Sequence, residues 1–143
     1  MPVQVLYTAH AVSSGGRNGH TESRDGVIKA DLSVPKAMGG PGKPGTTTPE
    51  DLFAAGYAAC FGGAVDYLAA NQLKLKPTSV EIEVAAGIGP DGSGFGLKVD
   101  ITAWVGGLSE EDANRLIQAA HQFCPYSKAT RGNIEHGLKV VVI

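Results

Sequence analysis

The chain has 143 residues, enough for one domain with its own apolar core and no need of a disulfide or a metal to fold. Charged residues make up 18% of it and the formal net charge is −2. This charge excludes the basic surface typical of proteins that bind nucleic acid or anionic membranes. The low charge fraction also predicts that part of the surface is covered by a second copy of the chain.

The location and redox state of the protein follow from what the sequence lacks. No uninterrupted apolar run reaches the 18 or so residues of a membrane-spanning helix, and the first residues do not resemble a signal peptide. We therefore expect a cytoplasmic protein with no membrane partner. In that compartment its two cysteines, Cys60 and Cys124, start reduced.

The first 49 residues predict strands and loops. Residues 3–12 have the aromatic and β-branched content of a strand, and residues 27–34 alternate as a half-buried strand does. Between them, residues 13–19 are rich in glycine, and Asp25-Gly26 is typical of a tight turn. Residues 35–49 hold four prolines and four glycines, which predicts a long loop.

A long apolar helix is predicted next. Thr48-Pro49-Glu50 is typical of a helix start, with Thr at the N-cap and Pro at the first helical position. The helix should run to about Asn71, and it is apolar or small on nearly every side. Such a helix is buried on nearly every side. Because a chain of this size would struggle to surround it, the pattern again indicates a dimer.

The second half predicts a hairpin, a helix and a final strand. Residues 78–88 and 95–105 are strand-like and flank a glycine-rich turn. Ser109 precedes three acidic residues and opens a helix through about Phe123, which Pro125 should end. Residues 138–143 form the last strand. This order predicts an α+β fold with antiparallel sheet, in one domain of residues 1–143.

The two cysteines are the main candidates for chemistry. Cys60 lies inside the apolar helix, and Cys124 lies where the second helix ends. A free cysteine is most often a small buried hydrophobe, whereas a reactive thiol needs a cation or a helix N-terminus to lower its pKa. The sequence leaves open whether the two thiols meet, although one from each helix could.

Three other kinds of site have known sequence motifs with which this chain can be compared. His121 and Cys124 are spaced i, i+3 on one helix, and Cys60 could join them around a metal, but no CxxC or HExxH motif completes the set. A Cys–His hydrolase would need a histidine paired with Cys60, and the residues around the histidines do not indicate such a pair. Residues 39–45 are not a phosphate loop, because Lys43 is followed by proline.

Arg17 and Glu50 have both a structural and a chemical interpretation. Read singly, they are a solvated loop arginine and a carboxylate that complements the dipole of its helix. A guanidinium beside Cys60 would instead stabilise the thiolate, and a carboxylate would fix the guanidinium by a bidentate pair.

Four segments resemble the organic hydroperoxide resistance (Ohr) branch of the OsmC/Ohr family. They are residues 15–19 (GGRNG), 39–42 (GGPG), 48–61 (TPEDLFAAGYAACF) and 124–134 (CPYSKATRGNI). Two positions depart from the family pattern: Thr47 stands where asparagine is frequent, and His136 stands where an apolar residue is usual.

The resemblance implies a thiol peroxidase that reduces organic hydroperoxides. Cys60 matches the peroxidatic cysteine, Cys124 the resolving cysteine, and Arg17 and Glu50 the activating pair. It also implies an intertwined homodimer whose antiparallel sheets wrap around long buried central helices. The family needs no bound cofactor or metal and is reduced by dihydrolipoyl groups of lipoylated proteins.

Two further expectations come from the residues around Cys60. Phe53, Tyr57 and Phe61 lie near it in sequence and predict an apolar substrate pocket that favours alkyl and lipid hydroperoxides. Glu50 and Cys60 are ten residues apart, about 15 Å along a straight helix, so they cannot touch within one helix. We therefore expect Glu50, and Arg17 with it, to act on the other subunit, while Cys60 pairs with Cys124 of its own chain.

The rival hypothesis is a non-enzymatic stress protein that binds an apolar ligand in the same dimer cleft. A general disulfide reductase is disfavoured, because CxxC is absent.

Overall fold

The computed structural model describes residues 1–143, which divide into two compact units, residues 1–52 and 53–143. Each unit is described by itself. The expectation that residues 1–143 form one domain stays a prediction.

The first unit is built on a small antiparallel sheet. Strands β1 (Ala11–Ser14), β2 (His20–Ser23) and β3 (Lys29–Asp31) pair in that order. The prediction of a strand over residues 3–12 was wrong, because residues 1–10 lie outside any strand and are exposed. Their composition suits a strand, but a strand also needs a neighbour to pair with. The strand predicted over residues 27–34 is shorter than expected, and Leu32 forms a single bridge with Thr47.

A short 3₁₀ turn, Gly16–Asn18, presents Arg17 between β1 and β2. Gly15 and Gly16 both have positive φ, 77° and 61°, a backbone region that glycine enters at no steric cost. The side-chain oxygen of Asn18 accepts a hydrogen bond from the backbone N–H of Val34 at 2.9 Å. This turn is therefore fixed by backbone geometry. The loop predicted over residues 35–49 is confirmed, with one 3₁₀ turn at Lys36–Met38.

Helix α1 (Pro49–Leu68) starts as predicted. The Thr48 hydroxyl accepts the backbone N–H of Asp51 at 3.0 Å, which is an N-cap bond. A π-helical turn, Ala69–Leu73, carries the chain past the expected end.

Within the chain α1 buries one face, not nearly every side as we expected. The buried face is Tyr57, Phe61, Ala64, Val65 and Leu68. The opposite face, which includes Ala55, Ala59 and Gly63, is exposed. By length and composition the segment Pro49–Leu73 could cross a bilayer. One such helix is weak evidence for a membrane span, since the core helix of a water-soluble protein meets the same criterion.

The second unit is a three-stranded sheet with helices. Strands β4 (Ser79–Pro90) and β5 (Phe95–Gly106) form the predicted antiparallel hairpin. Helix α2 (Glu110–Phe123) has Ser109 as its N-cap, and α3 (Pro125–Thr130) begins at the proline predicted to end α2.

The last strand, β6 (Glu135–Val142), differs from the predicted antiparallel pairing, because it pairs with β5 in parallel. The chain returns through α2 and α3 before it re-enters the sheet, and a crossover of this kind delivers a parallel strand. The α+β class is confirmed.

One apolar core joins these elements. Alternate residues of β5, namely Val99, Ile101, Ala103 and Val105, are buried together with the inner faces of α1 and α2. Cys124 is a fully buried member of this core, and Cys60 is packed against it. The core therefore holds α1 against the end of α2, where the two cysteines lie.

Gly19 offers a test of the turn that presents Arg17. A Cβ at this position would overlap the carbonyl oxygen of Ser14 and the backbone of Gly15. We expect Gly19→Ala to lower the free energy of unfolding by about 1–3 kcal/mol, the usual cost of steric overpacking. Urea unfolding measures it.

The matched control is Gly89→Ala, where a Cβ meets nothing within 4 Å. It should change stability by less than about 0.5 kcal/mol. Equal effects of the two substitutions would contradict the described turn.

Candidate active site

Arg17 and Glu50 form a bidentate ion pair in the first unit. The Arg17 guanidinium donates from Nη1 to Glu50 Oε2 at 2.9 Å, and its Nη2 lies 2.8 Å from Oε1. The hydrogen bond from Arg17 lowers the pKa of Glu50, and the same bond raises the pKa of Arg17. The side chain of Glu50 is 12% exposed and that of Arg17 is 42% exposed. The carboxylate is thus the fixed partner, and the guanidinium keeps an open side.

Cys60 and Cys124 meet in the second unit, the point that the sequence left open. Their sulfur atoms are 3.7 Å apart, and both are free thiols. Cys60 projects from α1 and is partly buried; Cys124 is completely buried at the junction of α2 and α3. A disulfide has a sulfur–sulfur distance of about 2.05 Å. The two sulfurs are thus neighbours but not bonded.

The surroundings of Cys60 within residues 53–143 favour the neutral thiol. Burial raises the pKa of Cys60, and the neighbouring Cys124 raises it further. One cause opposes them: the backbone of Tyr126 lowers the pKa of Cys60, but not enough to reverse the effect of burial. The role of Tyr126 was missed in the sequence, although it follows Cys124 by only two residues.

Aromatic rings stand beside the cysteines. Phe53, Tyr57 and Tyr126 form a cluster with ring centroids 5.7–6.4 Å apart. Phe53 is partly buried, and Tyr126 is 40% exposed. Tyr57 and Phe61, the other two residues predicted to bind substrate, are completely buried in the core. Tyr126 therefore joins Phe53 as the accessible part of this cluster.

A partly buried chain of hydrogen bonds lies next to the thiols, and sequence reasoning missed it. The Tyr57 hydroxyl is 2.6 Å from Ser127 Oγ, which is 2.9 Å from His121 Nδ1. On its other side Tyr57 lies 3.3 Å from His136 Nε2, which is 2.8 Å from Thr130 Oγ1. The only signal in the sequence was that His136 stands where the family usually has an apolar residue.

The structure does not bring together the ligands that the hypothesis of a metal site requires. No group of three or more His, Cys, Asp or Glu side chains is placed to hold an ion. His121, the candidate ligand, bonds to Ser127 through Nδ1.

Comparisons with known proteins agree with this fold. The family model described as OsmC-like protein matches residues 40–139. An organic hydroperoxide resistance protein from Xanthomonas axonopodis pathovar citri is 48% identical over 134 residues, 94% of each chain.

Two solved structures show the same architecture. An organic hydroperoxide resistance protein from Elizabethkingia anophelis superposes with a TM-score of 0.91 at 43% identity, over 99% of this chain and 100% of that one. The protein OhrB of Bacillus subtilis superposes with a TM-score of 0.86 at 45% identity, over 95% and 99% of the two chains.

The chain belongs to the OsmC-like family. Within it, these relatives are named organic hydroperoxide resistance proteins, so the resemblance seen in the cysteine segments is confirmed. Membership supports a redox function related to peroxides.

Proposed function

We propose that the protein is a cysteine-based peroxidase that reduces organic hydroperoxides to alcohols. The observation that carries this proposal is the 3.7 Å separation of two free thiols, one partly buried and one completely buried. A buried second thiol beside a reactive one is suited to trap an oxidised sulfur before it reacts further. The names of the relatives agree with the substrate class.

The reaction has two steps that balance. The Cys60 thiolate attacks the terminal oxygen of the hydroperoxide and breaks the O–O bond. The alkoxide leaves, takes a proton and becomes the alcohol, and Cys60 becomes a sulfenic acid. Cys124 then gives up its proton and attacks the sulfenic sulfur. A Cys60–Cys124 disulfide forms, and the hydroxyl leaves with a proton as water.

Activation of Cys60 is assigned to Arg17. Residues 53–143 raise the pKa of Cys60 by burial, whereas a peroxidase needs the thiolate at neutral pH. A guanidinium can supply the missing positive charge, and Arg17 is held in one orientation by Glu50 with an open side. The same charge would stabilise the oxygens of the peroxide as the O–O bond breaks.

We place this activation across an intertwined homodimer. Glu50 and Cys60 lie on the continuous helix α1, ten residues or about 15 Å apart along its axis. The Arg17–Glu50 pair would therefore serve Cys60 of the partner subunit. The exposed apolar residues Val3, Val5, Leu6 and Tyr7, and the exposed small residues of α1, are surface that a second copy would cover.

The substrate and reductant are assigned by chemistry and by family resemblance. Phe53, Tyr57 and Phe61, with Tyr126, make the neighbourhood of Cys60 apolar and aromatic, which favours alkyl and lipid hydroperoxides over hydrogen peroxide. A dithiol reduces the disulfide by two successive exchanges, and we assign dihydrolipoyl groups of lipoylated proteins to this role. We further propose that the chain is a single cytoplasmic domain that acts without a bound cofactor or metal.

Titration with cumene hydroperoxide tests the activity. One equivalent should convert both thiols to the Cys60–Cys124 disulfide, and dihydrolipoamide should restore them and sustain turnover. Cys124→Ser should stop at the sulfenic acid, and Cys60→Ser should not react. Free-thiol counts, mass spectrometry and stopped-flow kinetics give the readouts.

Two results would contradict this proposal. Thiols that stay free under excess hydroperoxide would favour the non-enzymatic ligand-binding protein. A kcat/KM for hydrogen peroxide comparable to that for cumene hydroperoxide would refute the assigned substrate class.

The pH dependence of Cys60 alkylation tests Arg17. A positive charge favours the thiolate, so its removal in Arg17→Gln should move the midpoint of alkylation by iodoacetamide upward by about 1–3 pH units. Cys124→Ser is the background for both proteins, so that only Cys60 reports. Arg24→Gln, at another exposed arginine, should leave the midpoint unchanged. Identical midpoints for Arg17→Gln and the parent would remove Arg17 from the mechanism.

Mixed dimers test activation across subunits. One subunit carries Cys60→Ser and the other Glu50→Ala. If the pair acts on the partner subunit, the remaining Cys60 still faces an intact Glu50, and about half of the parent activity should survive. If it acts within one chain, activity should not exceed that of the Glu50→Ala homodimer.

A further inference from the structure

The short helix α3 (Pro125–Thr130) sets the relative position of the two thiols. Cys124 is its N-cap residue, and the backbone of Tyr126, in its first turn, lowers the pKa of the Cys60 thiol. A shift of α3 would therefore change the 3.7 Å sulfur–sulfur distance. The contacts that anchor α3 thus bear on whether the two thiols can join.

Two buried hydroxyls on α3 provide the anchors. Ser127 is tied to α1 through Tyr57 and to α2 through His121, at 2.6 and 2.9 Å. Thr130 is tied to β6 through His136, at 2.8 Å. Three different elements of the second unit therefore hold one short helix by polar contacts in an apolar core. Buried hydrogen bonds of this kind specify position because the alternative is an unsatisfied polar group.

One assignment of hydrogens gives every hydroxyl of this network an acceptor. His136 Nε2–H donates to Thr130 at 2.8 Å, and the Thr130 hydroxyl donates to the carbonyl oxygen of Tyr126 at 2.9 Å. The Tyr57 hydroxyl donates to Ser127, and Ser127 donates to His121 Nδ1. Both rings are then neutral, and hydrogen positions are assigned from the network.

A proton on His121 Nδ1 disturbs this assignment. It would reverse the bond to Ser127, which would then have to donate to Tyr57. The Tyr57 hydroxyl would in turn need an acceptor, and His136 Nε2 could serve only if its hydrogen moved to Nδ1. The donation from His136 Nε2 to Thr130 would then be lost, at a cost in stability.

The charges around the two rings act in the same direction. His136 is faced by His121 from α2 with ring centroids 5.1 Å apart, by Tyr57 from α1, and by apolar Val99 on β5. Burial lowers the pKa of both histidines, and the positive charge of Arg131 lowers both further. The pair is therefore neutral at neutral pH and gains protons only in acid.

We propose that His136, together with His121, is a positioning residue for the reaction between Cys60 and Cys124: through Thr130, Tyr57 and Ser127 it holds α3 where the thiols can join. The neutral pair favours disulfide formation. Protonation as the pH falls below the ordinary histidine range breaks the chain and slows this step. The proposal rests on the proposed peroxidase, in which Cys124 is the resolving thiol.

Two variants of one residue separate position from titration. In His136→Val the hydrogen bond to Thr130 is lost. In His136→Gln the side-chain amide reaches the place of Nε2 and can donate or accept, but it does not titrate. His10→Gln, at an exposed histidine outside both sheets, is the matched control. Thermal unfolding confirms that each variant is folded.

Disulfide formation is measured in two arms by acid quench and mass spectrometry. In the first arm, one equivalent of cumene hydroperoxide oxidises Cys60, and its sulfenic acid and the later disulfide are timed separately. In the second arm, diamide oxidises the two thiols directly, which reports on their geometry without any peroxidase step.

The expected results differ between the variants. At about pH 7.5, His136→Val should slow disulfide formation about fivefold in both arms, the scale of one lost net hydrogen bond, with Cys60 oxidation unchanged. His136→Gln should keep the parent rate at that pH. The parent should slow markedly between about pH 6.5 and 5, and His136→Gln should slow less.

Other results overturn the proposal or the function, and the two are distinguishable. Parent-like rates in His136→Val, or the parent pH profile in His136→Gln, would refute the positioning role. So would an equal loss of Cys60 oxidation and of disulfide formation. A parent protein inert to hydroperoxide but sensitive to His136 in the diamide arm would refute the peroxidase and leave the positioning role intact.

Discussion

The contact between the Cys60 and Cys124 sulfurs is the constraint on which the rest of the structure depends. It joins a residue in the middle of α1 to one at the end of α2, sixty-four positions later. Only a packed core can hold such distant residues at 3.7 Å. The buried residues of α1 and α2 pack with those of β5 in one core. The same packing that brings the thiols together buries Cys124 completely and Cys60 in part. Burial then raises the pKa of Cys60, so proximity and reactivity are in conflict.

We propose that the Arg17–Glu50 pair resolves that conflict in the dimer. A bidentate ion pair orients the guanidinium and leaves its remaining N–H groups free to donate to a second anion. Arg17 lies in a turn with positive φ at Gly15 and Gly16, and a Cβ at Gly19 would overlap the backbone of Ser14 and Gly15. In the proposed dimer, each chain would carry a charge that its own Cys60 cannot use.

Next to the thiols the core contains polar side chains that hydrogen-bond to one another. A hydroxyl or imidazole inside an apolar core costs stability when it has no hydrogen-bond partner. Every buried side-chain nitrogen and oxygen of this chain has one. Each contact of this network ends on α3 or on a residue that holds it. In the positioning role proposed for His136, the hydrogen bonds that satisfy these polar groups also set the geometry of the two thiols.

Local rules predicted much of this protein. The caps at Thr48 and Ser109, the helix break at Pro125 and the hairpin of β4 and β5 each depend on residues a few positions apart, and each is confirmed. The strand over residues 3–12 was wrong because pairing depends on a neighbour and not on composition. The parallel direction of β6 follows from the path of the crossover, to which residues 138–143 contain no local signal.

The candidate site likewise has features that the sequence predicts and features that depend on the tertiary structure. The sequence by itself determined the family and the candidate residues, because Cys60, Cys124, Arg17 and Glu50 lie in segments long enough to resemble one family; their chemical roles stay predictions. Only the tertiary structure decided that the thiols touch, that burial raises the pKa of Cys60, and that His136 joins a chain of hydrogen bonds. These properties arise from contacts between residues far apart in the chain, and the solvation and hydrogen bonding of a side chain depend on what surrounds it in space.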